Sequence, residues 1–323
     1  MTSPHLPPVI VEHFAQQIDA AGRRALKQAQ AEMSAIYRDG GHSREAVPDA
    51  RAALAYAVAR MPATYAACVR AFDLAAAEAP DFAPRSVLDL GAGPGTATLA
   101  ASAVWAGLEA ARLIEPNAAL AAVAATVIPA VTALACRLDT GDLTDPATPP
   151  ANADLVTLSY VLAEQPLDKI AAVIASVIPS VAGIIVIIEP GTPAGYARVL
   201  AARDALLAAG LLMLAPCPHA KLCPLTSGDW CHFSVRLQRS AGHRHLKDAD
   251  VPFEDERFSF VAATRGPAAA RAASRLIRPA AIEKGFADLS LCTATGLQTR
   301  RVRRRDKDAY KRAKGLTWGD AVE

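Results

Sequence analysis

Residues 86–96 read SVLDLGAGPGT, a short apolar run that leads into a glycine-rich segment. This pattern is typical of a buried strand that turns sharply into a helix. Gly91, Gly93 and Gly95 let the backbone turn tightly and approach a ligand without interference from a Cβ atom. The helix that follows presents free N–H groups and the positive end of its dipole to an anionic group. The stretch therefore predicts a ligand-binding loop at the end of a strand in an α/β sheet.

The sequence beyond this loop continues to alternate between strand-like and helix-like segments. RLIEP (112–116), ADLVTLSYVL (153–162) and GIIVIIEP (183–190) are further candidates for buried strands, and helical spacing lies between them. Strands that alternate with helices predict a parallel sheet with helices on both faces. We therefore expect an α/β fold of the Rossmann-like type.

The chain divides into three predicted regions. Residues 1–80 show apolar residues at helical spacing and predict a helical N-terminal region, which would form a cap or lid. Residues 81–265 form the Rossmann-like domain and carry a cysteine-rich loop (216–233). Residues 266–323 form a β-containing, basic C-terminal extension, with a strand candidate at 287–295. Two further strand candidates, 232–239 and 257–265, precede it.

The composition and the first residues limit the class of protein and its expected location. Of the 323 residues, 52% are hydrophobic, yet no uninterrupted apolar run reaches the roughly 18 residues that span a bilayer. The first residues show neither a basic segment followed by an apolar one nor an Arg-rich transit pattern. We therefore expect a monomeric protein of the bacterial cytoplasm with no membrane partner. In a reducing compartment, the six cysteines indicate metal ligands or buried thiols rather than disulfides. Cys68 and Cys136 lie in apolar surroundings, which predicts that these two are buried thiols.

Two acidic residues accompany the glycine loop. Asp89 precedes it on the strand, and Glu115 ends the next strand candidate. Glu115 alone would also suit a site for NAD, and both acids could simply cap strand ends. The whole pattern DLGAGPGT (89–96), however, resembles motif I of class I S-adenosylmethionine-dependent methyltransferases. That resemblance implies that the loop packs against the methionine part of the cofactor, that Glu115 binds the ribose hydroxyls, and that Asp142 in DTGDL (139–143) meets the adenine amino group.

The segment that would carry catalytic residues is less specific. DLVTLSYVLAEQP (154–166) occupies the place where base-modifying amino-methyltransferases carry an Asn/Asp-Pro-Pro-aromatic tetrapeptide, and that tetrapeptide is missing. Ser159 and Tyr160 are candidates to line the site, and Glu164 is a candidate base. A packed strand end explains each of them at least as well. The sequence therefore supports cofactor binding better than methyl transfer.

Three of the six cysteines lie close together in CPHAKLCPLTSGDWCHF (217–233). Their spacing, C-x5-C-x7-C, matches neither the C-x2-C pairs of most zinc sites nor the ferredoxin run. Such long gaps are consistent with a loop that surrounds something larger than one ion. A fourth ligand is needed, and its candidates are Cys292, His219 and His232. Structural zinc, with a histidine in place of Cys292, is the alternative.

Four segments together resemble the Rsm-type methyltransferase-like proteins of the small ribosomal subunit. They are ARMPATYAA (59–67), EPGTPAGYARVLAARDAL (189–206), CPHAKLCPLTSGDWCHFSVRLQR (217–239) and the WGD (318–320) that closes an Arg-rich end. The resemblance covers most of the chain, and the cysteine segment is its most specific part. It implies association with the small subunit and its assembly. It also implies a [4Fe–4S] cluster held by Cys217, Cys223, Cys231 and Cys292.

The Arg-rich end predicts a polyanionic partner. Residues 300–314 contain nine Lys or Arg and two Asp, and Tyr310 and Trp318 place aromatic rings among the cations, as in single-stranded RNA binders. A solvated tail is the alternative, and ribosomal RNA follows only from the resemblance. The predicted RNA-binding residues are Arg300, Arg301, Arg303, Arg304, Arg305, Lys311 and Arg312.

The preferred hypothesis is a methyltransferase-fold protein that binds S-adenosylmethionine and a [4Fe–4S] cluster and engages small-subunit ribosomal RNA as an assembly factor, with or without methyl transfer. The alternative is an active RNA or small-molecule methyltransferase with a structural zinc site.

Overall fold

The computed structural model describes residues 2–38, 41–141, 152–226, 228–266 and 272–323, so that the predicted adenine-binding Asp142 lies outside the described residues. Five helices precede the first strand: α1 Pro8–Ala21, α2 Arg23–Arg38, α3 Ser43–Ala46, α4 Ala50–Ala59 and α5 Met61–Glu78. The Asp49 side chain caps α4 by accepting a hydrogen bond from the Ala52 N–H (2.8 Å). Pro62 stands in the first turn of α5, where its missing N–H costs little, and this separates α4 from α5.

The central sheet has eight strands in the order β3-β2-β1-β4-β5-β8-β6, with β7 also paired to β8. Its strands are β1 Ser86–Leu90, β2 Ala110–Ile114, β3 Ala135–Asp139, β4 Ala153–Ser159, β5 Val181–Pro190, β6 Leu212–Ala215, β7 Phe233–Gln238 and β8 Phe253–Thr264. The first five are parallel, and β8 runs antiparallel to β5, β6 and β7. The strand order reverses between β1 and β4, which is where ligands bind in open α/β sheets. This confirms the predicted Rossmann-like α/β fold.

Together with α5, four helices cover the two faces of this sheet: α6 Thr96–Val104, α7 Ala118–Val127, α8 Ile170–Val177 and α9 Pro193–Ala208. The helix α10 Ala241–Lys247 packs on α2 and α4. One hydrophobic core lies against α5 and α6, and a second lies against α8 and α9. The strands between them are apolar on both sides, as a doubly covered sheet requires. The edge strand β3 differs, since its residues are mostly exposed. Cys136 on β3 is therefore exposed, and the interpretation of this thiol as buried is wrong.

The long strand β8 organises the cysteine-rich loop. One edge of β8 pairs with β5, and the other edge is shared end to end by β6 and β7. Ala215, the last residue of β6, pairs with Ala262, and Phe233, the first residue of β7, pairs with Phe258. Because Ala262 and Phe258 lie close together on β8, the two ends of the joining loop are only about 13 Å apart, at roughly 3.3 Å per strand residue.

A second, five-stranded sheet follows, and basic residues line its outer strand. It contains β9 Ser274–Leu276, β10 Ala281–Ile282, β11 Phe286–Thr293, β12 Gly296–Arg303 and β13 Ala321–Val322, and α11 Lys307–Gly315 packs against it. A buried ion pair between Arg275 and Glu78 (2.6 Å) attaches it to α5. Arg70 of α5 also pairs with Asp320 (2.7 Å). Residues 300–314 are therefore mostly strand and helix rather than a solvated tail, while the predicted boundaries near 80 and 266 stay predictions.

Among the residues described, no single helix is long and apolar enough to cross a membrane. The bent pair α4–α5 passes that test only by length and composition.

Candidate functional site

The glycine loop bends back over the end of β2. The Gly91 and Ala92 N–H groups both donate to the Ile114 carbonyl oxygen (2.9 and 3.1 Å). Gly91, Gly93 and Gly95 all have positive φ angles, of 68°, 54° and 78°. A Cβ atom on Gly91 would lie 2.4 Å from the Val161 side chain, whereas one on Gly93 would meet nothing within 4 Å. Gly93 therefore borders open space, and Gly91 fits only because it lacks a side chain.

Glu115 holds this loop in place from the end of β2. Its carboxylate accepts hydrogen bonds from the Gly93 N–H (2.6 Å) and the Asn117 N–H (2.7 Å). Burial raises the pKa of Glu115 to about 7, against the lowering effect of these two N–H groups. A carboxylate with two oxygens at the rim of the loop suits a pair of hydroxyl donors.

Asp89 lies beneath the loop on β1 and is fully buried. One carboxylate oxygen, Oδ2, accepts from the Thr98 N–H (3.1 Å) and hydroxyl (2.7 Å). The other, Oδ1, has no hydrogen-bond partner among the described residues. Burial raises the pKa of Asp89 to about 6. The pair Asp89–Thr98 joins the strand to the helix after the loop and leaves one acceptor available.

The N-terminal helices rest on this edge of the sheet. The Asn117 side-chain amide donates to the carbonyl oxygens of Ser43 (3.2 Å) and Val47 (2.9 Å). Glu164 accepts from the Ser43 N–H at 3.0 Å. The segment from 43 to 47 therefore lies beside both Glu164 and the glycine loop, where a cap over the site would stand.

The three candidate catalytic residues all have partners within the fold. The Ser159 hydroxyl oxygen lies 3.2 Å from the Cys68 sulfur. Tyr160 has a positive φ of 60°, and its hydroxyl donates to the Glu256 carboxylate (2.8 Å). Glu164 accepts from Ser43. Each of these side chains thus has a packing or hydrogen-bonding role that needs no substrate.

The four cysteines predicted as ligands line a single pocket with about 570 Å³ of empty space, open to solvent. Cys217, Cys223 and Cys231 come from the loop between β6 and β7, and Cys292 comes from β11 of the second sheet. Arg275 on β9 brings the two parts together, since it is paired in register with Cys292 and donates to the Pro216 carbonyl oxygen (3.0 Å). The structure therefore brings Cys292 to three thiols that lie far from it in sequence.

Burial dominates the electrostatics of these thiols. It raises the pKa of Cys217 and Cys231, and it raises that of Cys292 to about 12. Their mutual proximity raises these values further, because each thiolate disfavours the next. Within the part of the chain that the structure describes, no three His, Cys, Asp or Glu side chains are arranged to hold a single metal ion.

The two histidines of the loop occupy different places. His219 lines the thiol pocket, with its Nε2 atom 3.5 Å from the Cys292 sulfur. The His232 ring stacks on Trp230 (5.1 Å between centroids) and meets the edge of Trp318 (4.8 Å). Trp318 is therefore part of the packing around the loop, and its contact with RNA stays a prediction.

Two further residues of the thiol pocket were not predicted from the sequence. The Tyr196 hydroxyl donates to the Cys223 sulfur (3.1 Å), and Arg203 is buried beside the loop. Both lie on α9 and line the pocket together with Val199 and Leu200. Their i, i+3, i+4, i+7 spacing is the signal that could have identified them as one helical face.

The basic residues form a groove on the second sheet. An open groove with about 1800 Å³ of empty space lies between β12, α11 and β13. Arg301 is held in it by Asp288 (2.7 Å) and by the Phe286 ring beneath its guanidinium (3.8 Å). Of the seven predicted residues, Arg304 and Lys311 are exposed nearby, and those that line the groove are Arg300, Arg301, Arg303, Arg305 and Arg312.

Solved structures similar to this chain include several methyltransferases. A putative RNA methyltransferase (PH1948) from Pyrococcus horikoshii is 12% identical, with a TM-score of 0.39 over 62% of this chain and 80% of that one. Magnesium protoporphyrin IX methyltransferase (ChlM) from Synechocystis PCC 6803 is 14% identical, with a TM-score of 0.41 over 65% of this chain and 88% of that one.

A curated relative shares much more of the sequence. The human protein "Ribosome assembly protein METTL17, mitochondrial" is 27% identical over 298 residues, which cover 83% of this chain. This chain spans 62% of the length of that relative.

The comparisons also correct the expected location. Both this relative and a matching family model, described as "Mitochondrial small ribosomal subunit Rsm22", point to a mitochondrial protein. The expectation of a bacterial cytoplasmic protein is therefore wrong. It rested on the first residues, in which neither a secretory pattern nor an Arg-rich transit pattern was found.

The family match extends over residues 50–323, which is more than half of the chain. It includes the glycine loop, the four pocket cysteines and the basic groove. The chain therefore belongs to the Rsm22 family.

Proposed function

We propose that this protein is an assembly factor of the mitochondrial small ribosomal subunit that holds a [4Fe–4S] cluster and binds S-adenosylmethionine. The observation that carries the proposal is the convergence of Cys217, Cys223, Cys231 and Cys292 on one pocket. The family description names the small subunit, and the human relative is named a ribosome assembly protein.

The pocket fits a cluster better than a single ion. A [4Fe–4S] cluster takes one thiolate at each of four separate irons, so its ligands surround a volume rather than a point. The four thiols line the pocket in this way, and the apolar residues Val199, Leu225 and Ile277 form part of its other walls. A zinc site that used His219 would require the side chains to move together.

The glycine loop fits S-adenosylmethionine. The open space beside Gly93 would hold the methionine part, Glu115 would accept from the ribose hydroxyls, and the available Asp89 oxygen would accept from a donor on the ligand. Asp142 remains the proposed partner of the adenine. When bound, the cofactor supplies an activated methyl group, and the protein would contribute position and orientation.

The site supports binding more strongly than methyl transfer. Ser159, Tyr160 and Glu164 are already engaged with Cys68, Glu256 and Ser43, so a substrate base would have to displace these contacts. We therefore propose that the cofactor mainly orders the domain. An active methyltransferase remains the second version of this function.

The basic groove on the second sheet is the proposed contact with ribosomal RNA. Its exposed arginines can reach phosphates, which gives affinity without a choice of sequence. Because Cys292 lies on β11 and the groove lies on its neighbour β12, a cluster on the thiols would also fix the position of the groove.

The test is metal analysis of protein purified without air. We expect near-equal iron and sulfide with visible absorption, both lost in Cys292→Ser and kept in the matched control Cys136→Ser, whose thiol is exposed on β3. We also expect Cys292→Ser to lose binding to small subunits. One zinc per chain, unaffected by Cys292→Ser, would contradict the proposed cluster.

A further inference from the structure

Helix α9 turns one face toward the thiol pocket. Tyr196, Val199, Leu200 and Arg203 line the pocket and follow one another at helical spacing. The two middle residues are apolar and form part of its wall. The two outer residues, Tyr196 and Arg203, each place a hydrogen-bond donor at the pocket that the thiols line.

Arg203 is a buried cation with little to balance its charge. Only 3% of the residue is exposed, and its guanidinium donates to the carbonyl oxygens of His219 (3.2 Å) and Lys221 (2.6 Å). Its acidic partner is Asp204 (3.0 Å), whose side chain is 54% exposed and therefore largely screened by water. A buried charge is costly unless it is paired, and the Arg203 Nε atom has no hydrogen-bond partner among the described residues.

The thiols are the groups that Arg203 and Tyr196 face. Arg203 lines the same pocket as the Cys217 thiol. The Tyr196 hydroxyl donates to the Cys223 sulfur at 3.1 Å. A metal–thiolate centre in this pocket would carry net negative charge, since four thiolates exceed what the cluster core neutralises. The helix thus provides one positive charge and one hydrogen-bond donor where that negative charge would lie.

We propose that Arg203 is the counter-cation of the cluster and Tyr196 its hydrogen-bond donor, and that together they retain the cluster and raise its reduction potential. This rests on the [4Fe–4S] cluster of the proposed function. Reduction adds an electron to an already anionic centre, so a nearby cation and a donor to a ligand sulfur stabilise the reduced form. Both residues are positioning residues, because they act through the cysteines.

The experiment is a redox titration of the whole protein with dithionite and dye mediators, followed by visible absorption, after iron and sulfide have been measured. At the midpoint potential of the wild type, Arg203→Gln is expected to lower the ratio of reduced to oxidised cluster about tenfold, which corresponds to about 59 mV for one electron. Arg203→Lys keeps the charge and should recover most of this change. Tyr196→Phe keeps the packing and should lower the ratio about threefold.

The matched control is Arg198→Gln. Arg198 stands on the same helix but donates to the carbonyl oxygens of Gln165 and Ala194, away from the pocket. It should leave the potential unchanged. Unchanged potentials in both Arg203→Gln and Tyr196→Phe, with full iron and sulfide, would overturn the inference while leaving the cluster intact. If Arg203→Gln loses its cluster, an unshifted Tyr196→Phe overturns the inference. Wild-type protein without iron and sulfide would overturn the cluster and the inference together.

Discussion

Alanine at Gly91 should mainly lower the stability of the fold, whereas alanine at Gly93 should mainly weaken cofactor binding. Both glycines have positive φ angles, so in each case an alanine is strained by roughly 1 kcal/mol. At Gly91 the new Cβ would also lie 2.4 Å from Val161 Cγ2 and 2.9 Å from its Cβ. Relief of that clash by a shift of the loop costs a further ~1–3 kcal/mol, the usual range for overpacking.

Gly91→Ala should therefore lose about 2–4 kcal/mol of unfolding free energy. Gly93→Ala should lose only about 1 kcal/mol, because its Cβ points into open space. That space is where the methionine part of S-adenosylmethionine is proposed to lie. We therefore expect Gly93→Ala to fold almost normally and to bind the cofactor at least tenfold more weakly.

The assays are urea unfolding of the ligand-free protein and calorimetric titration with S-adenosylmethionine. Equal losses of stability in the two variants would refute the clash derived from the Gly91–Val161 distance. Wild-type affinity in Gly93→Ala would refute the position of the cofactor. The two conclusions are independent, because stability is measured without ligand.

Three further predictions concern buried charge and the basic groove. Burial raises the pKa of Glu189 from its ordinary 4.5 to about 8. Between these two pH values the folded protein binds a proton that the unfolded chain has lost, so its unfolding free energy falls as the pH rises. Glu189→Gln should then be more stable than the wild type at pH 9 by on the order of 1–3 kcal/mol, and an equal difference at pH 5 would contradict this. Arg275→Met should lose ~3–5 kcal/mol of unfolding free energy by leaving Glu78 buried without its partner, and a loss below ~1 kcal/mol would show that the pair is dispensable. Replacing Arg303 and Arg305 with glutamine should reduce the slope of log affinity for RNA against log salt by up to about 2, whereas Arg85→Gln, far along the chain, should leave it unchanged.

Local pattern alone was enough to predict the strands around the glycine loop. The apolar run before Gly91 forms β1, and the run RLI forms the end of β2. Glu115 directly follows β2 and lies beside the loop. This works because strand and turn propensities depend on neighbouring residues, and because the carboxyl ends of parallel strands meet at one edge of the sheet. For the cysteines, the spacing indicated a shared ligand, and the resemblance to the family supplied Cys292.

Other features depended on which strands become neighbours. Cys136 has the same apolar surroundings in sequence as a buried thiol, but β3 lies at the edge of the sheet and leaves it exposed. Trp318 stands among cations in sequence, yet the chain returns it to His232 and Phe233. These outcomes follow from strand order and from contacts between distant segments, and neither leaves a local signal.

The sequence by itself determined the Rossmann-like domain, its glycine loop and its acidic partners, because each of these is encoded within a few consecutive residues. Only the tertiary structure decided what surrounds the thiols. The outer edge of β8 anchors both ends of the cysteine loop, Arg275 joins that loop to the second sheet, and α9 brings Tyr196 and Arg203 against the sulfur atoms. These contacts join segments that are far apart in sequence, so they form only when the packed chain buries its polar groups together and leaves each of them in need of a partner.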